Sequence, residues 1–372
     1  MLRRLLVRLF RRIVGTLMHP TSLIPKPTKM RFLHWMANKR LLVSLYYMWT
    51  GEFANEQRAV FCGQLAQWDS ELDSTRYELT RSIHRIEKGL ITQPRKPVFA
   101  ENYIARAVQD YARLREVGHI QDHATWARDV LNVYFDAVTD TPKIKRARAE
   151  FVAIEGCENS QLAKGNDERS RVPAPRQVQH PSVAIEDLDK LAKSRHSIRK
   201  FLPKSVPREA LDRAVEVARF SPSACNRQPF EFRIFDEPDL VTTVASVPMR
   251  TKGFVDTFPC IVVVIGHLRA FPLTRDRHLI YIDSALASMA FELAIQSQGL
   301  DSCSINWPDI PEKESEIAYI LGLTTNERVI MLIAVGYGDN EAKVPFSQKK
   351  SLSEIRTFNK SAESVSSKTT SG

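Results

Sequence analysis

The sequence predicts an α+β chain, with a mostly helical first half followed by a sheet flanked by helices. Three observations predict it. Across residues 52–153 apolar residues recur at three- and four-residue spacing, the period of a buried helix face. Ile261–Ile265 (IVVVI) and Val329–Val335 (VIMLIAV) are continuous apolar runs, the pattern of central strands. Between them, His278–Gln298 has a helical pattern, with Ser284, Ala285, Ala287, Ser288 and Ala290 crowded into one stretch that permits close helix approach.

Along the chain, residues 1–18 (MLRRLLVRLFRRIVGTLM) segregate on a helical wheel, with Leu2, Leu5, Leu6, Leu9, Ile13 and Leu17 on one face. Arg3, Arg4, Arg8, Arg11 and Arg12 take the other. Such a basic amphipathic helix suits a membrane interface, and its arginines interrupt every apolar run, so it does not read as a span. Three readings stay open: interfacial anchoring, packing on protein, and organellar targeting. Leu41–Trp49 is a second apolar run, too short to cross a bilayer.

Helices are expected over Gln57–Trp68, Glu71–Leu90, Glu101–Glu116 and Ala124–Val138, with breaks at Pro94, Pro97 and Gly118. A turn at Thr139–Pro142 leads into a basic stretch, Lys143–Arg148. Residues 155–182 lose apolar content to Gly, Pro and charge and read as a mobile linker. Next, Glu209–Arg219 reads as a helix after Pro207, and Phe230–Phe235 alternates as a half-buried strand does. The tail 360–372 is rich in Ser, Thr and Lys and reads as disordered.

The chain has 372 residues and a formal net charge of +10. Residues 1–51 hold ten Lys/Arg and no acid, while the remainder balances at 43 of each sign. The excess charge is therefore a local device, which argues against a nucleic-acid-coating protein. Five scattered cysteines without a CxxC pair argue against a disulfide framework and for a reducing cytoplasm, with the basic end allowing peripheral contact at the membrane's cytoplasmic face. His119 and His123 stand at i, i+4 in a polar stretch and read as two solvated histidines, so no metal site is expected. In Arg81–Leu90, His84, Glu87 and Lys88 share a helical face and read as a surface ion-pair network, with Gly89 capping the helix end.

No G-x-G-x-x-G, Walker A or G-x-S-x-G motif is present. Two polar clusters are present instead. Ser194–Phe201 (SRHSIRKF) concentrates guanidinium forks and a hydroxyl, donors suited to a phosphate dianion. Ser221–Phe230 (SPSACNRQPF) is a turn feeding directly into strand Phe230–Phe235. Cys225 has no base beside it and reads as a small buried residue at that turn.

RHSIRKF, SPSACNRQPFEF, the long helix ending in QSQGLDSCSINW, then IAVGYGD and QKKSLSEI together resemble the FMN-dependent nitroreductase family. The resemblance covers 185–358. It implies a nitroreductase-like α/β sandwich that dimerises, with two FMN sites at the dimer interface and both subunits contributing to each. By similarity, Arg195, His196, Ser197 and Arg199 would hold the phosphate and the ribityl or pyrimidine end, with positive charge from Arg199 near the flavin N1/O2. Pro222, Ser223 and Asn226 would reach the flavin from the partner chain. Lys349 and Lys350 fall where the family places a C-terminal phosphate anchor, often arginine there. Phe230 stands where a tryptophan is common, and Ser302–Asp309 should approach the flavin N5 edge.

The resemblance implies an FMN-dependent NAD(P)H oxidoreductase passing a hydride to a small-molecule acceptor by a ping-pong cycle, with no protein nucleophile or general acid. Two alternatives remain: a specialised FMN reductase or dehydrogenase on a biosynthetic intermediate, and a dimeric flavin-binding scaffold in a membrane-associated assembly. The Arg81–Leu90 stretch joined to the downstream domain also resembles nitroreductase-like proteins found with bacterial surface-polysaccharide genes.

Overall fold

The computed structural model describes residues 26–69, 72–117, 121–156, 171–175, 183–249, 251 and 253–360. The expected amphipathic helix 1–18, most of the 155–182 segment and the 361–372 tail lie outside them, as do Gly118 and His119.

The first half is helical: α1 (Lys26–Ala37), α2 (Arg40–Thr50), α3 (Ala54–Trp68), α4 (Leu72–Ile91), α5 (Ile104–Arg115), α6 (Gln121–Ala137) and α7 (Pro142–Gly156). Helices α4 to α7 enclose one core, built on Leu79, Ile83, Ile86, Val108, Leu114, Leu131, Tyr134 and Phe151. Polar ties cross it at its rim: the Trp126 Nε1–H donates to Glu87 at 3.0 Å, and the Tyr111 hydroxyl to Glu155 at 2.6 Å. Glu87 thus serves helix packing as well as the expected ion pair with His84, 3.5 Å away.

Some local expectations hold and several change. The Lys143–Arg148 stretch lies in α7, as the helical reading of 52–153 expects; Ile144, Ala147 and Phe151 turn inward, Lys143, Lys145 and Arg146 are exposed, and Arg148 is half-buried, paired with Asp140 at 2.7 Å. The eye catches the charges; burial follows the apolar spacing. Gly89 sits inside α4 and does not cap it, because α4 continues to Ile91 and the Phe99 ring lies where a Cβ would be, 2.3 Å away. His123 is not solvated: burial pushes its pKa down to about 4, and its ring meets Trp126 edge-on. Arg171, within the expected linker, donates to the Asp122 carboxylate at 3.0 Å and to its carbonyl at 2.8 Å, holding 171–175 to α6.

The second half holds α8 (Ile185–Ser194), α9 (Arg208–Ala218), β1 (Phe230–Phe235), α10 (Pro238–Ala245), β2 (Cys260–His267), α11 (Leu279–Ser297), β3 (Asp301–Asn306), α12 (Pro311–Leu321), β4 (Glu327–Gly336) and α13 (Leu352–Ile355). The strands form one antiparallel sheet in the order β1-β2-β4-β3. Strand β2 reads as an unbroken apolar run because both its faces are buried. Ile261, Val263 and Ile265 face α10 and α12, while Cys260, Val262 and Val264 face α9 and α11. Helix α11 lies within the only stretch, Thr274–Ser297, that is long and apolar enough to cross a membrane among the described residues. Its apolarity has a nearer cause, since Ala287, Phe291, Ala294 and Ile295 pack beneath the sheet.

The halves touch. Ala59 and Val60 of α3 pack with Leu268, Ala270, Phe271 and Ile280 of the second half. Gly63 permits this approach: a Cβ there would stand 2.9 Å from the Leu268 backbone.

Candidate functional site

Helix α11 organises both polar clusters. Between Leu279 and Gln298 its only charged residues are Asp283 and Glu292, and both are buried. A charge buried in an apolar helix persists only when partnered. Glu292 accepts from the Ser302 hydroxyl at 2.9 Å and pairs with Arg195 at 3.8 Å. It therefore joins the first cluster to the start of β3. Parallel pairing of Ser197 with Ser302, including Ile198 N–H to the Ser302 carbonyl at 3.0 Å, fixes the same segment. Asp283 accepts from the Ala224 backbone N–H at 3.0 Å, anchoring the second cluster. Burial pushes the Asp283 pKa up, opposed by that N–H and by Arg227.

The second cluster is a strained turn. Cys225, Asn226 and Gln228 all have positive φ, at 56°, 55° and 50°, a conformation that costs non-glycine residues energy and concentrates at functional sites. Here Cys225 is only half-buried, which corrects the expectation of a buried packing residue. The Ser223 hydroxyl accepts from the Gln228 N–H at 3.1 Å, closing the loop. Pro222 and Asn226 are left exposed.

Arg227 points the other way. Its buried guanidinium lies over the Phe271 ring and pairs with Glu78 of α4 at 3.3 Å. Burial pushes its pKa down. Glu78 also pairs with Arg81 at 3.1 Å. The helical half thus holds the base of the turn.

A cleft of about 300 Å³ opens beside the first cluster, lined by Ser197, Arg199, Lys200, Phe254, Thr257, Asp339 and Lys343, among others. Asp339 is engaged by Lys200 at 2.8 Å. Arg199 donates to the Ser197 carbonyl at 3.3 Å, with no carboxylate partner among the described residues. Among the described residues, Arg199, Lys343 and Ser197 therefore line a cleft in which Asp339 is already paired with Lys200, a donor set that suits a phosphate. Of the residues predicted from sequence, Ser197 and Arg199 line this cleft. Arg195 turns to Glu292, and His196 is exposed, its Nδ1 2.7 Å from the Ser194 carbonyl. Lys349 and Lys350 are exposed on the segment before α13, outside the lining, and Pro222, Ser223 and Asn226 stand apart at the turn. Among the described residues no His/Cys/Asp/Glu group has the form of a metal site.

Sequence reasoning missed Glu78, Arg227, Asp283, Glu292 and Lys343. The signal for Asp283 and Glu292 was present: two lone acids in a twenty-residue apolar stretch.

The nitroreductase family model matches residues 192–249 and 241–337. Residues 192–337, within the second half, make up a nitroreductase-family domain. Both polar clusters, α11 and the whole sheet lie within it, while α1 to α7 lie outside. Curated relatives of the chain include human iodotyrosine deiodinase 1, 22% identical over 198 residues, spanning 46% of this chain and 68% of that protein. The iodotyrosine deiodinase of Nematostella vectensis is 23% identical over 224 residues, 51% of this chain and 84% of that protein. Among solved structures, the FMN-dependent nitroreductase of Clostridium difficile R20291 aligns with a TM-score of 0.40 at 23% identity, covering 46% of this chain and 98% of that one. The nitroreductase family protein of Streptococcus pneumoniae TIGR4 aligns at 0.41 and 22% identity, covering 46% and 100%.

Proposed function

We propose that the chain is an FMN-dependent oxidoreductase that takes a hydride from NAD(P)H and passes it to a small-molecule acceptor, working as a homodimer. The observation that carries this reading is the cleft lined by Ser197, Arg199 and Lys343, at the edge of a stretch that matches the nitroreductase family model over residues 192–337. Bound FMN would supply the two-electron redox chemistry. The protein's part is to bind and orient. Ser197 and Lys343 suit the phosphate, and Arg199 supplies fixed positive charge for the end of the ring system that becomes anionic on reduction. No side chain is assigned as nucleophile or general acid.

A second copy is the partner the surface favours. Ile282, Leu286 and Met289 form an exposed stripe at i, i+4 and i+7 on α11. Phe346, Leu352, Ile355 and Phe358 of the C-terminal arm are likewise exposed. A monomer seldom leaves so many large apolar side chains in water on one helix and one arm. A partner seated there would bring its own turn, with Pro222, Ser223 and Asn226, and its own Lys349 and Lys350 toward the cleft.

The test is direct. Purified protein titrated with FMN should turn yellow with one FMN per chain, and anaerobic NADH or NADPH should bleach it. Ser197→Ala and Arg199→Leu should each weaken FMN binding about tenfold, the worth of one charge-assisted hydrogen bond. A folded protein that takes up no FMN sinks the proposal. Because curated relatives are named iodotyrosine deiodinases, the acceptor panel should pair nitroaromatics with iodotyrosine.

A further inference from the structure

Helix α2 carries the sequence RLLVSLYYMWT, yet none of its residues is buried. Its outward stripe is apolar: Leu41 (72% exposed), Leu45 and Met48 (65%), at i, i+4 and i+7. Helix α3 repeats the inversion with Phe61 (55%), Leu65 and Trp68 (66%) at the same spacing. A helix whose outer face meets only water is polar on that face. Two successive helices break the rule in the same way, and α1 and α2 pack chiefly on each other.

Charge decides what covers them. Residues 26–68 contain Lys26, Lys29, Arg31, Lys39, Arg40 and Arg58 against Glu52 and Glu56, and Glu56 is paired with Arg277 at 3.6 Å, so the surface is net basic. Arg31, Lys39 and Arg40 are exposed. Across a twofold axis this patch would meet its own cations, so it is not self-complementary. Residues 1–25 hold five arginines and no acid, so this chain's own end is no better matched in charge. An anionic lipid surface matches both properties, since headgroups attract the cations and the acyl boundary takes Leu, Met and Phe. Tyr46, Tyr47 and Trp49 on the same helix belong to the ring types that concentrate at membrane–water interfaces.

We propose that the α1–α2 hairpin and the outer stripe of α3 dock the protein peripherally on an anionic membrane surface. This surface is distinct from the 1–18 segment and stands apart from the flavin reading, since it uses none of the cleft residues. Joined to the proposed oxidoreductase function, the dock would hold that half beside the lipid and favour acceptors that partition there.

The experiment uses the full-length protein and flotation with vesicles of phosphatidylcholine alone or with about a third phosphatidylglycerol, an anionic content that sets a strongly negative surface potential. The wild type should float with the anionic vesicles, not the neutral ones, and lose binding at high salt. The L41E/L45E/M48E triple variant and the K39E/R40E pair should each reduce partitioning at least about tenfold. Tyr319→Glu, at an exposed site on α12, should not. Circular dichroism melting confirms that the variants are folded. The proposal fails if the wild type ignores anionic vesicles. It also fails if the hairpin variants float as well as the wild type, which would leave binding to residues 1–25. Dissociation of a dimer by L41E/L45E/M48E in analytical ultracentrifugation would assign the patch to a second copy and overturn it equally.

Discussion

Replacing Glu78 by Gln tests whether the helical half supports the turn of the nitroreductase-family domain. The substitution keeps the shape and an acceptor oxygen but removes the charge between Arg227 and Arg81, at 3.3 and 3.1 Å. At an effective dielectric of about 20, one such contact has a Coulomb energy of about 5 kcal/mol, largely offset by the desolvation of both partners. Glu78 retains some exposure and Gln still accepts, so the net loss is about 2 kcal/mol, the value of a hydrogen bond to a charged group. Loss of Glu78 also leaves two guanidinium groups facing each other, one of them buried with an unpartnered Nε. For a domain of this size the melting temperature should fall by about 4–8 °C. FMN affinity should fall with it, because Arg227 is in the turn that carries Asn226. Adding Arg227→Met removes the uncompensated charge, so the double variant should regain most of the lost melting temperature. Thermal melts followed by circular dichroism, with FMN titrations beside them, read both effects. A Glu78→Gln melt within 1 °C of the parent, or a double variant no better than the single, would refute the reasoning.

Other perturbations follow from the helical core. Gly89→Ala should cost about 1–3 kcal/mol in urea unfolding, because the new methyl meets the Phe99 ring 2.3 Å away and the ring is held by Tyr134. Burial pushes the Asp110 pKa up to about 6 from 3.8, against the pull of Arg106. The unfolded chain therefore loses this proton first, and the group's contribution, whole below pH 3.8, is lost as pH rises through 6. Asp110→Asn should remove that fall in urea midpoints measured between pH 4 and 7. His123, held neutral by burial with a pKa of about 4, works in the opposite direction: its contribution is present above 6.5 and lost as pH falls toward 4. His123→Gln should flatten the acid side of the same profile.

Much of the architecture was legible because burial writes itself as periodicity. The runs at Ile261–Ile265 and Val329–Val335 became the two central strands, and His278–Gln298 became α11. The edges left fainter marks. Strand β3 alternates only in part, with Ser302 buried against the Glu292 carboxylate, and α12 is amphipathic but short. Neither stands out from sequence. Of the site, the two clusters were readable as donors on a turn and beside a strand. Long-range pairing was not: nothing in residues 221–230 announces that Arg227 finds a carboxylate in a helix almost 150 positions earlier. Lys349 and Lys350 show the converse limit, since a basic pair in the right order does not say whose cleft it serves.

One helix grips both halves of the site, and the same helix offers the apolar stripe on which a second copy would rest. Asp283 and Glu292 are nine residues apart, about two and a half turns, and the turn and the first cluster hang from them as from two rungs of one ladder. An axial slide or roll of α11 would move both together and leave their spacing intact. Subunit pairing and cofactor retention would then be mechanically geared. Diluting the protein until its copies part should loosen the flavin over the same concentration range, as one event read by two instruments.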